Sequence, residues 1–222
     1  MVNGLTLPPT CIIIRESSGD LGAAAGRTRI IQSVMNTQET VHEFGLREKA
    51  QIMSGQDVDR TLVRLAYQVV EENGIEGLGL IGIRRRGVPM AERMSKIIAG
   101  IEKASVPVGT LDITFYRDDL STVGPRPVVK ELEIGFLIQD MNIVLVDDVL
   151  YTGRTIRAAL DALFSLGRPR RVQLCVLIDR GHRELPIEAA FIGRKVQTTA
   201  SEVIEVKLTE IDGTEKVLLM ER

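Results

Sequence analysis

The sequence predicts an α/β protein on a doubly wound, mostly parallel sheet, and three observations carry that prediction. The runs Leu78–Ile83, Asn142–Val146 and Arg171–Ile178 are apolar and β-branched without polar alternation, as strands covered on both faces are. Segments of helical period stand between them. Acidic, glycine and hydroxyl-bearing residues gather just after those runs, at the edge where such sheets bind ligands.

Residues 1–45 stand apart from the rest. Leu7-Pro8-Pro9-Thr10, Ser17-Ser18-Gly19-Asp20 and Gly22–Gly26 are turn formers with no sustained period. The expectation is a poorly ordered extension, or residues ahead of a later start at Met35 or Met53, with residues 46–222 forming the working domain. Regular structure is expected from about Ser54. There Ser54 with Asp57 resembles a helix-start signal, Val58, Leu62, Leu65, Ala66 and Val69 share one face, and Asn73-Gly74 ends the helix. After the Leu78–Ile83 strand, Val88–Glu102 reads as a helix with Met90, Met94, Ile97, Ile98 and Ile101 inward. Val106–Thr114 reads as a strand. The polar stretch Tyr116–Glu131, with Gly124-Pro125-Arg126-Pro127, reads as a mobile loop. Following the Asn142–Val146 strand, Ile156, Ala159, Leu160 and Leu163 mark another helix. Short strands are expected at Ala189–Ile192, Val203–Val206 and Lys216–Leu219.

A chain of 222 residues, 44% of them hydrophobic, can bury a full core. The formal charge of −2 gives no global field for nucleic acid, so any RNA contact needs a local basic patch. Cys11 and Cys175 match no metal or redox spacing, and Cys175 sits in an apolar run as a small buried hydrophobe. No stretch has the length and apolarity of a membrane span, and no signal sequence opens the chain. These features predict a cytoplasmic protein.

The segment Val144–Ala159, VLVDDVLYTGRTIRAA, carries the chemistry. A buried strand is followed by Asp147 and Asp148, expected where the strand ends. Then come Tyr151-Thr152-Gly153-Arg154-Thr155 and a helix. Such a turn aims backbone N–H groups and threonine hydroxyls at a phosphate beside the positive end of the helix. The two carboxylates can accept hydrogen bonds from vicinal hydroxyls, or hold a magnesium ion on a pyrophosphate. Single acidic residues at such turns are commonly helix caps. Capping alone does not explain two aspartates plus Thr-Gly-x-Thr.

A second turn points to the same edge. Arg84, Arg85 and Arg86 followed by Gly87 join a strand to a helix; three arginines there suit a pyrophosphate, and Gly87 permits close backbone approach. As a bare cluster they fit a solvated turn equally. Arg117, leading into the polar loop, can close over a reacting pyrophosphate. Gly77-Leu78-Gly79-Leu80-Ile81-Gly82 matches a dinucleotide fingerprint in letters only, because its glycines run through a strand instead of opening a helix. No Walker loop occurs, and no zinc spacing or nucleophilic triad forms around His42 and His182.

Four blocks, IRRRG, LDITFYRDDL, VLVDDVLYTGRT and LIDRGHRELPI, occur in this order from residue 83 to residue 187. Together they resemble the bifunctional pyrimidine operon attenuator/uracil phosphoribosyltransferase family, from about Ser54 to the C-terminus. The resemblance implies a type I phosphoribosyltransferase-like fold with a small hood built partly from the C-terminal segment. It implies formation of UMP from uracil and phosphoribosyl diphosphate (PRPP) with Mg2+, and binding of the pyrimidine operon mRNA leader when UMP is plentiful. Asp147 and Asp148 then take the ribose hydroxyls and, indirectly, the metal. Val149, Leu150, Tyr151, Thr152, Gly153, Arg154 and Thr155 form the rest of the PRPP/UMP-binding run, with Thr152, Gly153 and Thr155 around the 5′-phosphate, and the loop from Asp179 and Arg180 receives uracil.

A rival from another class is a regulatory RNA-binding nucleotide sensor with negligible catalysis. Arg60 and Arg64 share one helical face, and His182 and Arg183 are further RNA candidates. They suit ordinary solvated positions as well. With so little net charge, RNA contact calls for a homo-oligomer, a dimer or larger, that concentrates basic residues.

Overall fold

Helix α1 (Gly55–Asn73) starts where the sequence signals it. The Ser54 hydroxyl accepts the Asp57 N–H at 3.3 Å, while the Asp57 carboxylate accepts the Ser54 N–H at 3.0 Å. At its far end Gly74, with φ 65°, donates its N–H to the Val70 carbonyl at 2.8 Å. This computed structural model describes residues 46–113 and 132–221, all within the unit 42–222. The expectations for residues 1–45, for the end of the strand at Thr114 and for the loop bearing Arg117 lie outside the described residues.

A six-stranded sheet forms the body. Its strands are β2 (Leu78–Ile83), β3 (Val108–Leu111), β4 (Leu132–Glu133), β5 (Asn142–Leu150), β6 (Arg171–Asp179) and β7 (Phe191–Lys195), in the order β4-β3-β2-β5-β6-β7. All pairings are parallel except β3 with β4. Strand order therefore reverses between β2 and β5, the topological switch point at which doubly wound sheets bind ligands.

Alternate residues of the central strands enter two separate cores. Leu80, Val144, Val146, Cys175 and Leu177 face α1 and α2 (Gly87–Glu102), against Leu65, Val69, Met90 and Met94. Ile81, Ile143, Leu145, Leu174 and Val176 face α3 (Arg154–Leu166), against Ile156, Ala159 and Leu163. Both faces being covered, these strands read as unbroken apolar runs. Each fully buried leucine or valine contributes about 2 kcal/mol of transfer free energy.

The hood is a three-stranded antiparallel sheet, β1 (Arg47–Ser54), β9 (Lys216–Glu221) and β8 (Glu202–Lys207), in the order β1-β9-β8. The short helix α4 (Thr209–Asp212) links β8 to β9. Ile204, Val206, Leu208 and Val217 join the core under α1 and α2, so hood and body share packing. Among the described residues no helix is long and apolar enough to cross a membrane.

Several expectations are corrected. Regular structure begins at Arg47, before Ser54: β1 is exposed along most of its length and lacks an apolar period, so only pairing with β9 reveals it. The strand expected over Val106–Thr114 is confined to Val108–Leu111; Pro107 has no N–H for the ladder, and pairing with β2 stops at Ile83–Leu111. The strand expected at Ala189–Ile192 runs instead over Phe191–Lys195. As an edge strand it needs little apolar surface, and Gly193 lies so close to the Leu177 carbonyl that a Cβ there would stand 2.4 Å away. Finally, Asp147 and Asp148 lie within β5, because pairing with β6 continues to Leu150–Asp179 after pairing with β2 ends at Val146.

Candidate active site

A cavity of about 390 Å³ opens at the carboxyl ends of β2 and β5, the switch point itself. One wall is the turn Arg84, Arg85 and Arg86; from the neighbouring strand β5 come Asp147 and Asp148, then Val149–Gly153 and Thr155. Arg180 and the hood residues Val203–Val206 complete it.

Local structure explains each wall. The Asp148 N–H donates to Asp147 Oδ1 and the Val149 N–H to Asp148 Oδ1, both at 2.9 Å, so each carboxylate is held by the next amide. Asp147 is buried, and the Asp148 N–H offsets part of the cost of desolvating its carboxylate. Gly153 begins α3 at φ 94°, a conformation that costs glycine nothing. Gly153 and Arg86, which precede α3 and α2, cap neither helix with a side chain, while the Arg154 N–H of α3 donates to Thr152 Oγ1 at 3.3 Å. The start of α3, through Thr152, Gly153 and Thr155, thus borders the cavity, a setting for anions.

Each arginine of the turn has its own place, and the Arg84–Arg85 peptide is cis. Arg84 Nη1 stands 3.4 Å from Asp112 Oδ2, beyond the end of β3. Arg85 is exposed. Arg86 forks onto Asp212 of α4, at 3.1 Å from Nε and 2.8 Å from Nη2. Burial pulls the Arg86 pKa down, but the Asp212 hydrogen bonds and the charges of Asp212, Asp148 and Glu205 outweigh it and raise the pKa. For Asp212, burial pushes up, but the Arg86 bonds, the Leu208 N–H and the charges of Arg86 and Lys207 together outweigh it, leaving its carboxyl below the ordinary range.

Other predicted residues lie behind the wall. Gly87 is buried against β5, so the glycine serves helix–strand contact, where phosphate approach was expected. Arg154 is exposed and bonded to Glu184 at 2.7 Å. Asp179 accepts from Arg183 Nη2 at 2.6 Å and from the Gly181 N–H at 3.0 Å, and does not line the cavity. Arg180 does: its guanidinium lies 4.0 Å over the Tyr151 ring and donates to the Glu202 carbonyl at 2.7 Å.

The RNA candidates fall on two different surfaces. Exposed Arg60 and Arg64 share a shallow depression with Arg194, and Arg64 Nη2 donates to the Gly193 carbonyl at 2.6 Å. His182 is exposed, with Nε2 2.6 Å from the Thr198 carbonyl. Arg183 donates to the carbonyls of Ile187, Leu150, Tyr151 and Gly181 and to Asp179, binding its loop to the phosphate turn. Arg117 is outside the described residues. Sequence reasoning gave no role to Asp112, although it stands in the LDITFYRDDL block, or to Asp212 and Glu205, which belong to no local motif; only the apolar–polar alternation of Glu202–Lys207 hinted that β8 presents a polar side chain.

Residues 49–211 match the phosphoribosyl transferase domain family. The chain is 57% identical over 178 residues to the bifunctional protein PyrR of Thermus thermophilus, covering 80% of this chain and 98% of that one. This chain belongs to the PyrR family of phosphoribosyltransferases. The PyrR of Deinococcus radiodurans is 51% identical over 174 residues, 78% of this chain and 95% of its own. Solved structures of similar fold are more distant. A hypoxanthine-guanine phosphoribosyltransferase from Bacillus anthracis superposes with a TM-score of 0.56 at 20% identity, over 68% of this chain and 85% of its own. A hypoxanthine phosphoribosyltransferase of Trypanosoma cruzi gives 0.59 at 13%, over 78% and 97%. These neighbours share the type I phosphoribosyltransferase fold; the acceptor base is a separate matter. The mostly parallel sheet and the hood expected from the sequence are both present, the sheet with five parallel strands.

Proposed function

We propose that this PyrR-family chain transfers the phosphoribosyl group of PRPP to uracil, forming UMP and pyrophosphate, and that UMP in the same cavity governs binding of a pyrimidine operon mRNA leader. The observation that carries it is the convergence of the Arg84–Arg86 turn, the Asp147–Asp148 pair and the turn residues Thr152, Gly153 and Thr155 on one cavity. The bond from ribose C1′ to pyrophosphate oxygen breaks as uracil N1 bonds to C1′, and the N1 proton leaves to solvent or to the departing pyrophosphate. Charge grows on the leaving oxygens, where the arginines sit, and on the ribose ring, beside the carboxylates. Asp147 and Asp148 orient the ribose hydroxyls, and the N–H groups and hydroxyls from Thr152 to Thr155 hold the 5′-phosphate, so the reacting atoms meet in a fixed geometry. The hood covers uracil, with Arg180 and Tyr151 at the base end, and Arg117 arrives with its loop.

Magnesium suits this donor set. Among the described residues no group of three or more histidine, cysteine or acidic side chains could cage a metal. Two hard carboxylates fit an ion held chiefly by pyrophosphate oxygens and water, with Asp147 and Asp148 as outer partners. When bound it neutralises charge on the leaving group.

The working unit is residues 46–222, cytoplasmic and at least dimeric, with Arg60 and Arg64 on one surface and His182 and Arg183 on another as its candidate RNA contacts. Conversion of labelled uracil to UMP with PRPP and Mg2+, run beside hypoxanthine and orotate, tests the transferase. Turnover of uracil alone is expected; turnover of hypoxanthine without uracil overturns it. Gel shift of the leader RNA with and without UMP tests the regulator, and a shift indifferent to UMP excludes the shared cavity.

A further inference from the structure

Arg86 lines the cavity, and Asp212, 126 residues away in sequence and not part of the lining, is bonded to it. The Asp212 carboxylate is itself held, since Oδ2 accepts the Leu208 N–H at 2.9 Å. Further along α2, Arg93 forks onto Glu210 at 2.7 Å through Nε and Nη2 and also reaches Glu215 and, at 3.4 Å, Asp59. Two arginines of the α2 segment thus grip the short hood helix, and only Arg86 lines the cavity.

The geometry points to Asp212 as the positioning residue for Arg86: through it the hood presents Arg86 to the pyrophosphate of PRPP and ties the arginine turn to the cover of the site. This rests on Arg86 being a pyrophosphate ligand. Three facts support it. The fork occupies Nε and Nη2, so the carboxylate leaves the Nη1 side of the guanidinium to meet phosphate oxygens. The two side chains are only 24% and 18% exposed, so this is not a solvent-screened pair of negligible worth. Asp148 and Glu205 also attract Arg86. Without Asp212 the guanidinium would turn toward Asp148, which is needed by the ribose, and its long side chain would lose more rotamer freedom on binding pyrophosphate.

The test measures the inhibition constant of inorganic pyrophosphate, KM for PRPP and Kd for UMP in Asp212→Asn, Asp212→Glu, Arg86→Ala and Arg93→Ala. Asp212→Asn is expected to raise KM for PRPP and the pyrophosphate constant about tenfold. Kd for UMP, which carries no pyrophosphate, stays unchanged. Asp212→Glu restores part of the loss. Arg93→Ala, which loosens the same helix from outside the cavity, lowers Tm and leaves the pyrophosphate constant in place. Equal weakening of UMP and pyrophosphate in Asp212→Asn would mean a merely structural hood contact and overturns the inference. So does an unchanged pyrophosphate constant in Asp212→Asn when Arg86→Ala raises it. If Arg86→Ala itself changes nothing, Arg86 is not a pyrophosphate ligand, and the underlying assignment falls first.

Discussion

Gly87 meets Val146 so closely that a Cβ on Gly87 would stand 2.2 Å from the Val146 carbonyl oxygen and 3.3 Å from the Asp147 Cα. The helix that follows the arginine turn therefore rests backbone to backbone on the strand that carries the acidic pair. No side-chain rearrangement relieves such a contact, because both partners are main chain. Gly87→Ala must push α2 off β5, and we expect a loss of about 3 kcal/mol of stability with a sharp rise in KM for PRPP. Urea melts and steady-state kinetics on the variant check both. A Gly87→Ala protein of wild-type stability and KM would show that the two walls are not locked together.

Arg183 ties the loop after β6 to the phosphate turn through four carbonyls and Asp179. Its removal leaves those acceptors short of donors, and Arg183→Ala is expected to weaken UMP binding about tenfold. Lysine has one compact ammonium where this site uses a fork, so Arg183→Lys does not rescue. Calorimetric titration of UMP into both variants decides, and full affinity in either one would remove the structural role of Arg183.

Acid stability is expected to depend on the hood. Lys49 donates to Glu202 at 2.6 Å and the Thr199 N–H donates at 2.7 Å, holding the Glu202 carboxyl down at about 2, against an ordinary 4.5. A carboxyl depressed in the folded state stabilises above its unfolded pKa, and that contribution is lost as pH falls through the folded value. Wild-type Tm should therefore fall between about pH 4.5 and pH 2 more steeply than that of Glu202→Gln. Parallel slopes in thermal melts across that range contradict the pairing.

Cys175 is fully buried, and burial pushes its thiol up to about 12. Since the thiolate is the nucleophile, alkylation should label Cys175 only after unfolding. Peptide mapping by mass spectrometry, with and without denaturant, checks this; native labelling at Cys175 would contradict its burial.

Much of the fold was legible because its strands are covered on both faces, which writes them as apolar runs at Leu78–Ile83, Asn142–Val146 and Arg171–Ile178. The start of α1 was legible because Ser54 and Asp57 are three residues apart and bond to each other locally. Strand β1 was not, since its residues are mostly exposed and find their partner at the far end of the chain. The same holds in the site. Asp147, Asp148 and Thr152–Thr155 form one contiguous motif, and the structure places the pair and its turn on one cavity. Arg86 was visible as a charge, but its partner Asp212 depends on tertiary packing that no local pattern encodes. Arg183 resembled a surface cation because bonds to the carbonyls of another loop leave no trace in the letters.

The most direct test compares pyrophosphate release from uracil, PRPP and Mg2+ by the wild-type chain and by the Asp147→Asn/Asp148→Asn double variant. The substitutions preserve shape and remove both charges beside the developing ribosyl cation, so a loss of about a hundredfold or more is expected with the melting curve unchanged. Full activity in the double variant would contradict the assignment of this cavity as the site of phosphoribosyl transfer.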